Sequence, residues 1–261
     1  MINLKNLKVL KISKGITKII LNDPSSYNSL SVDMIESLLS VLNILNKDSK
    51  SKVIIIEGSG NGFSAGHNLK EINSMKNKDS YLALFKKCSK LMLSITTHKK
   101  PIIAKIHGAA FAAGCQLVAS CDLAYSTKDS IFATPGVNIG LFCSTPMVAL
   151  SRKVNRKKSM EMLLTGEPIK ANVAKRIGLI NDCYPSSNLE KEVIKIANKI
   201  ASKSSLVLQI GKSAFYKQLE MPIENAYEYT SKVMTENMMT KDAKEGITSF
   251  IKKRSPIWKD K

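Results

Sequence analysis

Arginine, tryptophan and histidine are scarce in this chain of 261 residues, and acidic side chains are outnumbered by basic ones. Only four of the 40 basic residues are arginine, and the 21 acidic residues leave a formal net charge of +19. Sequence-specific nucleic-acid binding favours arginine, whose planar guanidinium makes bidentate hydrogen bonds to bases and phosphates. The sequence also contains no nucleic-acid-binding motif. We therefore expect a solvated lysine surface and no nucleic-acid partner, with some attraction for a polyanionic ligand.

The five cysteines are odd in number and show neither CxxC spacing nor a paired framework. Free thiols in a reducing compartment explain this pattern better than disulfides or zinc ligation. The histidines that could join them as ligands are only His67, His98 and His107. We therefore expect no metal site.

Long apolar segments are also missing. The low-charge stretch at 102–119 contains His107, Gln116 and two glycines among its alanines, which makes it too polar for a membrane-spanning helix. Residues 1–5 do not open a hydrophobic signal segment. We therefore expect no membrane span and a cytoplasmic location of the bacterial type.

Short apolar runs alternate with helical periods in the first half of the chain. The pattern predicts an α/β core of stacked ββα units over residues 1–188 and a helical C-terminal section over 189–261, without a flexible linker between them. The predicted strands are 9–12, 16–21, 52–57, 101–106 and 122–125, and the predicted helices are 31–45, capped by Ser31, 81–95, and one that begins near Gly114.

Two loops rich in small residues, 58–71 and 107–117, lie where a strand gives way to a helix. Glycine lets a backbone approach a ligand closely, and a helix N-terminus presents unpaired N–H groups. Two converging N–H groups can hold a carbonyl oxygen that becomes negative, and each is worth about 2.7–4 kcal/mol in a reaction barrier. Spacing alone leaves open whether the loops meet, and close helix–strand packing is the commoner reason for such small residues.

Residues 63–71 (Phe-Ser-Ala-Gly-His-Asn-Leu-Lys-Glu) resemble the signature of the enoyl-CoA hydratase/isomerase (crotonase) family. Pro24 with 28–30, the loop 108–116, 164–169 and 245–254 resemble further motifs of that family in the same order, so the resemblance spans nearly the whole chain. Two other segments, 132–146 and 215–219, resemble one branch most closely. That branch is associated with fatty-acid metabolism and is mitochondrial in animals, so a mitochondrial location is expected if the chain is eukaryotic.

The resemblance implies a spiral of ββα repeats that binds an acyl-CoA thioester and assembles as a trimer or a dimer of trimers through its helical C-terminal section. Coenzyme A would enter as part of the substrate, with no tightly bound cofactor. The backbone N–H groups of His67 and Ala113 would form an oxyanion hole, lined by Gly114. The residues implied in CoA binding are Asn28, Ser29, Leu30, Ala65, Gly66, Asn68, Leu69, Lys70, Phe250 and Lys253.

Hydratases of this family use two carboxylates, and the resemblance places Gln116 and Gly136 at those two positions. Glutamine can hold a water but cannot accept its proton, and glycine has no side chain. Each acid or base is worth roughly 10²–10⁴ in rate, so ordinary enoyl-CoA hydration is expected to be weak. For Cys143 a buried, inert thiol is the preferred interpretation, and His67 is expected to act through its N–H rather than through its ring.

Three functions stay open from the sequence. The chain could be a catalyst of the hydratase, isomerase or lyase kind on an acyl-CoA thioester, acting by isomerisation, decarboxylation, thioester cleavage or slow hydration. It could instead be a non-catalytic acyl-CoA binder that modulates fatty-acid metabolism. RNA binding, suggested by net charge alone, is disfavoured by the lysine bias and the lack of aromatic platforms.

Overall fold

The computed structural model describes residues 6–13 and 15–261, so the segment 1–5 and residue 14, which lies between the first two predicted strands, are outside the described residues. The strands are β1 Leu7–Ser13, β2 Gly15–Leu21, β3 Ser51–Gly58, β4 Ile102–Ile106, β5 Ala109–Phe111, β6 Leu123–Thr127, β7 Ile131–Ala133, β8 Ile169–Lys170 and β9 Asp182–Tyr184. The helices are α1 Val32–Lys47, α2 Leu69–Ser74, α3 Lys78–Thr96, α4 Ala113–Ser120, α5 Ser144–Leu150, α6 Arg156–Thr165, α7 Ala171–Arg176, α8 Ser186–Ala201, α9 Ser205–Gln218, α10 Ile223–Met238 and α11 Lys241–Ile251.

The strands form two sheets. The larger has the order β1-β2-β3-β4-β6-β9, in which β1 runs antiparallel to β2 and the other pairs are parallel. The smaller sheet has the order β5-β7-β8. In the pairs β4–β5 and β6–β7 the first strand belongs to the large sheet and the second to the small one, and a helix follows each pair. This alternation confirms the expected α/β spiral of ββα units.

The local sequence explains the elements that lead to the two loops. Ser31 caps α1 by accepting a hydrogen bond from the Met34 N–H at 3.2 Å, as predicted. Strand β3 is apolar on both faces because both are covered, as is usual in parallel sheets. Its side chains alternate: Ile54 and Ile56 pack in the main core beneath α1 and α3, and Val53 and Ile55 pack in a second cluster on the opposite face.

Helix α8 covers that opposite face. Leu189, Val193 and Ala197 are buried there against β3, β4 and β6. The predicted boundary between residues 188 and 189 falls inside this helix, three residues after its start at Ser186. The division of the chain into a core and a helical section stays a prediction, but α8 packs as part of the α/β body.

A buried ion pair attaches α9 to the end of the large sheet. The Lys212 ammonium donates to Asp122 Oδ2 at 2.6 Å and to the carbonyl oxygens of Ile95 and Lys100 at 3.0 and 3.1 Å. The Tyr216 hydroxyl donates to Asp122 Oδ1 at 3.0 Å. Burial lowers the pKa of Lys212, and the Asp122 carboxylate opposes that shift. Helix α9 is therefore held to the α/β body by one cluster of polar side chains in which the Lys212 ammonium makes three hydrogen bonds.

We predict that Lys212→Met lowers the free energy of unfolding by about 3–5 kcal/mol, because it leaves the Asp122 carboxylate buried without its cation. Urea unfolding followed by circular dichroism measures the change. Lys195→Met is the matched control, since the Lys195 side chain is 76% exposed and its loss should change stability by less than about 0.5 kcal/mol. Equal midpoints for the two variants would contradict the role of this ion pair.

Candidate functional site

The two loops rich in small residues lie side by side, which the sequence left open. The Ala109 carbonyl accepts the N–H groups of Phe63 at 3.0 Å and Ser64 at 3.1 Å, and the Phe111 N–H donates to the Ser64 carbonyl at 2.9 Å. These bonds include a parallel bridge between Ser64 and Ala110. The first loop therefore continues the edge of the small sheet beside β5.

Glycine is required where the loops touch. A Cβ on Gly114 would lie 2.9 Å from the Ser64 Cβ and inside van der Waals contact of the Ser64 carbonyl oxygen. Gly66 has a φ of +90°, and a Cβ there would lie 2.9 Å from the Phe111 oxygen and 3.1 Å from the Ala113 nitrogen. The glycines thus bring the backbone around Gly66 and His67 up to the start of α4.

Two backbone amides at this junction are unpaired. Among the described residues, no acceptor takes the N–H of His67 or the N–H of Ala113. Ala113 is the first residue of α4, where a helix leaves its N–H groups without partners and where its dipole favours negative charge. Because Gly66 packs against the Ala113 nitrogen, the two free amides belong to adjoining backbone segments. The oxyanion hole expected from the resemblance would use these two amides.

Ala112 precedes the second amide in a strained conformation. Its φ of 48° and ψ of −116° lie in a region that residues other than glycine rarely adopt. Its N–H donates to the Ala133 carbonyl at 2.9 Å. Backbone strain of this kind costs about 1–3 kcal/mol and concentrates at functional sites. The conformation fixes the direction of the peptide group that carries the Ala113 N–H.

Asn28 holds the first loop from behind. Its side chain is fully buried, and its Nδ2 donates to the carbonyl oxygens of Ser59 at 2.8 Å and Gly62 at 2.9 Å. The Ser64 hydroxyl donates to the Asn28 carbonyl at 2.9 Å. The Asn28 side chain, implied in CoA binding by the resemblance, therefore faces the protein interior and supports the loop.

The structure brings segments 28–30 and 65–70 together. The Leu30 N–H donates to the Gly66 carbonyl at 2.7 Å, while Ser29 and Leu30 are buried. Ala65 is exposed at the rim. The Asn68 side chain caps α2 by accepting the N–H groups of residues 70 and 71, and Leu69 and Lys70 are exposed beside it. The exposed part of the predicted CoA-binding segment is thus 65 and 69–70.

Phe250 and Lys253, the other predicted CoA-binding residues, lie at the end of the last helix. Phe250 is 85% exposed, and Lys253 is exposed as well. A side chain with so much free surface has little contact with its own chain. The structure of one chain therefore does not pack these two residues against the paired loops.

The His67 ring faces the protein with a defined tautomer. Its Nδ1 lies 3.2 Å from the Leu30 carbonyl oxygen, which can only accept, so Nδ1 carries the proton. Nε2 is buried without a partner among the described residues, and the ring edge packs on Phe85 at 5.6 Å between centroids. Burial lowers the pKa of His67 from its ordinary value, although the bond to Leu30 opposes this shift. Burial therefore favours the neutral form of the ring.

The two positions of the missing acids differ in their surroundings. Gln116 is 4% exposed, and its Oε1 has no hydrogen-bond partner in the described chain. A Cβ on Gly136 would lie 2.9 Å from Cys143 Sγ and inside van der Waals contact of the Leu141 carbonyl oxygen. Burial raises the pKa of the Cys143 thiol, so this thiol stays protonated. Glutamate has the size of glutamine and could replace Gln116 without new crowding. At Gly136, the backbone of the turn would have to move to make room for an acidic side chain.

Sequence reasoning missed the supporting residues Ser64 and Ala112. A serine inside a glycine-rich loop is a signal that could have been followed, because its hydroxyl can bind a neighbouring backbone. Alanine carries no such signal, since its positive φ is visible only in coordinates. In the described part of the chain, no three His, Cys, Asp or Glu side chains gather as a metal-binding group, and no helix is both long and apolar enough to cross a bilayer.

A sequence model of the enoyl-CoA hydratase/isomerase family matches residues 11–261, so the chain belongs to that family. A crystal structure of an enoyl-CoA hydratase from Mycobacterium smegmatis superposes with a TM-score of 0.95 at 42% identity, covering 97% of this chain and 98% of the other. The expected family and fold are thereby confirmed.

Within the family, the relatives support the branch indicated by segments 132–146 and 215–219. Mitochondrial enoyl-CoA hydratase domain-containing protein 3 of Xenopus laevis is 50% identical over 252 residues, which cover 97% of this chain and 86% of the relative. The crystal structure of human enoyl-CoA hydratase domain-containing protein 3 has a TM-score of 0.94 at 46% identity, covering 97% of this chain and all of the other.

We predict that Gly114→Ala destabilises the protein by about 1–3 kcal/mol, because the new methyl group forces the paired loops apart. Gly211→Ala is the matched control: Gly211 also lies in a helix, but nothing is within 4 Å of its would-be Cβ. The control should raise stability by about 0.5–1 kcal/mol through helix propensity. Thermal unfolding measures both changes, and a stable Gly114→Ala variant would contradict the close packing described.

Proposed function

We propose that the protein binds an acyl-CoA thioester and polarises its carbonyl group with the backbone N–H groups of His67 and Ala113. The observation that carries this proposal is the pair of unpaired amides at the joined loops. Hydrogen bonds to the carbonyl oxygen strengthen as negative charge develops, so an enolate of the thioester is the species this arrangement stabilises best. Membership of a family that binds acyl-CoA thioesters supports the same ligand class.

Other exposed residues of the chain would contact the coenzyme A part of the ligand. Ala65, Leu69 and Lys70 are exposed beside the hole and would run along coenzyme A. The net charge of +19 favours the approach of its phosphates. In this proposal coenzyme A enters only as part of the substrate, and no tightly bound cofactor is required for carbonyl polarisation.

The reaction is constrained by Gln116 and Gly136. Carbonyl polarisation is retained, but neither position supplies a carboxylate to activate water or to protonate carbon. We propose a hydratase- or isomerase-like activity on the thioester. Stabilisation of the enolate is the main contribution to catalysis, and hydration is slow. The second candidate, a non-catalytic acyl-CoA binder that modulates fatty-acid metabolism, is favoured by the close packing that leaves no room for an acid at Gly136.

Assembly into a trimer or a dimer of trimers is part of the proposal. Helices α10 and α11 and the residues after them expose large apolar side chains, among them Tyr227 at 70%, Met239 at 71% and Phe250 at 85%. Burial of such surface on a second copy of the chain would be favourable. In the assembly, Phe250 and Lys253 would contact coenzyme A bound at a neighbouring chain.

The names of the relatives bear on location. The Xenopus and human relatives are called mitochondrial, which favours the mitochondrial expectation over the cytosol of the bacterial type. We propose a mitochondrial location on this ground alone.

We predict that Ala113→Pro weakens the binding of acetyl-CoA about three- to tenfold, because it removes one N–H donor. Proline is tolerated at the first position of a helix, and Ala113→Ser keeps the donor as a control. Isothermal titration calorimetry measures both variants. Free coenzyme A has no acyl carbonyl and should bind the variants and the wild type equally. A folded Ala113→Pro variant with unchanged acetyl-CoA affinity would contradict the proposed oxyanion hole.

We further predict that Gln116→Glu raises the rate of crotonyl-CoA hydration about 10²-fold, since one acid or base is restored. Adding Gly136→Glu should bring no further gain, because the Leu141 carbonyl occupies the space of the new side chain. The rate is measured from the decrease in absorbance as the conjugated thioester is consumed. A Gln116→Glu variant that binds crotonyl-CoA without any gain in rate would refute the assignment of position 116 to one of the two missing acids.

A further inference from the structure

The Lys153 side chain, in the turn between α5 and α6, has an ammonium group without a hydrogen-bond acceptor in the described chain. The turn itself is fixed, because the Lys153 N–H donates to the Leu150 carbonyl at 3.0 Å and Val154 is buried in the core. Lys153 Nζ lies 5.0 Å from the centroid of the Tyr216 ring, a cation–π contact that involves no hydrogen bond. The structure thus holds a half-buried amine at a defined place.

The carboxylate that attracts Lys153 is already occupied. Asp122 Oδ2 accepts the Lys212 ammonium at 2.6 Å and the Ile102 N–H at 2.7 Å, and Oδ1 accepts the Tyr216 hydroxyl at 3.0 Å. Asp122 acts on Lys153 only through space, and the charge of Lys153 acts in turn on Lys212. Two ammonium groups therefore lie near one carboxylate, which binds only one of them.

Burial lowers the pKa of three lysines in the described part of the chain, Lys100, Lys153 and Lys212. Hydrogen bonds hold two of these ammonium groups: Lys100 Nζ donates to two backbone carbonyl oxygens, and Lys212 Nζ donates to the Asp122 carboxylate. Lys153 combines partial burial and a neighbouring cation with an uncommitted nitrogen. Desolvation and a second cation are the conditions that make a lysine nucleophilic.

The surroundings of Lys153 favour a polyanionic acyl donor. Residues 152–158 contain five basic side chains and no acidic one. Positive charge of this density raises the local concentration of a polyanion such as coenzyme A, which carries several phosphate charges. A thioester is also an acyl donor that amines can attack, and acyl-CoA thioesters are the ligand class of the family.

We propose that Lys153 is a modification site, at which an acyl-CoA thioester from solution transfers its acyl group to Nζ. After the ammonium group loses one proton to solvent, its electron pair forms a C–N bond to the carbonyl carbon. The C–S bond breaks with its electron pair on sulfur, and a second proton passes from nitrogen through water to the thiolate. The products are an amide and free coenzyme A. Since the thioester need not bind at the paired amides, this inference is independent of the proposed function.

The test incubates the folded protein with acetyl-CoA at about pH 8 and follows each lysine by peptide mass spectrometry. Lys153 should be acetylated about three- to tenfold faster than the exposed lysines Lys157 and Lys195, whereas Lys100 and Lys212 should react more slowly than both. In concentrated urea the ratio of Lys153 to Lys157 should fall to about one. A ratio of one in the folded protein, or a ratio that persists in urea, would overturn the inference.

A second thioester, S-acetyl-N-acetylcysteamine, tests the donor class because it has no phosphates. Acetyl-CoA should modify Lys153 faster than this compound at equal concentration, and added salt should remove most of the difference. Equal rates at low salt would refute the selection of acyl-CoA. Lys153→Arg keeps the positive charge and should lower the total acetylation by the share assigned to Lys153, whereas the matched control Lys157→Arg should lower it less. An equal loss in the two variants would also contradict the site.

Discussion

The backbone pairing between the two small-residue loops is the constraint on which the site depends. Three hydrogen bonds, from Phe63 and Ser64 to Ala109 and from Phe111 to Ser64, join segments that are distant in the sequence. They hold the His67 amide beside the N-terminus of α4. In the proposed function these amides act as preorganised donors, which need no rearrangement during a reaction and therefore stabilise developing charge well.

Several features of the site lower the stability of the fold. Ala112 is strained and, within residues 6–13 and 15–261, Gln116 Oε1 and His67 Nε2 are buried without partners and the N–H groups of His67 and Ala113 find no acceptor. Each costs on the order of 1–3 kcal/mol. The surrounding body is correspondingly well packed, with β3 apolar on both faces and α9 held by the Lys212 ion pair. Such a combination is typical of sites retained for function.

The sequence predicted the elements whose causes are local. The cap at Ser31, the apolar runs of the longer strands and the helical periods depend on neighbouring residues, and they agree with the structure. The strands of two or three residues, such as β5 and β8, are too short to show a period. The role of Asn28 behind the loop depends on Gly62, 34 residues further along the chain, and sequence spacing contains no information on such contacts. The approach of the Leu141 carbonyl to Gly136 is local, but it depends on the exact backbone angles of the turn between them, which the residue types do not specify.

In the proposed function, the N–H groups of His67 and Ala113 hold the carbonyl oxygen of a thioester. Isotope-edited infrared spectroscopy of acetyl-CoA labelled with ¹³C at its carbonyl tests this most directly, because hydrogen bonding weakens the C=O bond. With saturating protein, the carbonyl stretch should move to a lower frequency than in water, as expected for two preorganised donors in a buried site. A bound thioester whose carbonyl frequency equals that in water, or lies above it, would contradict the claim.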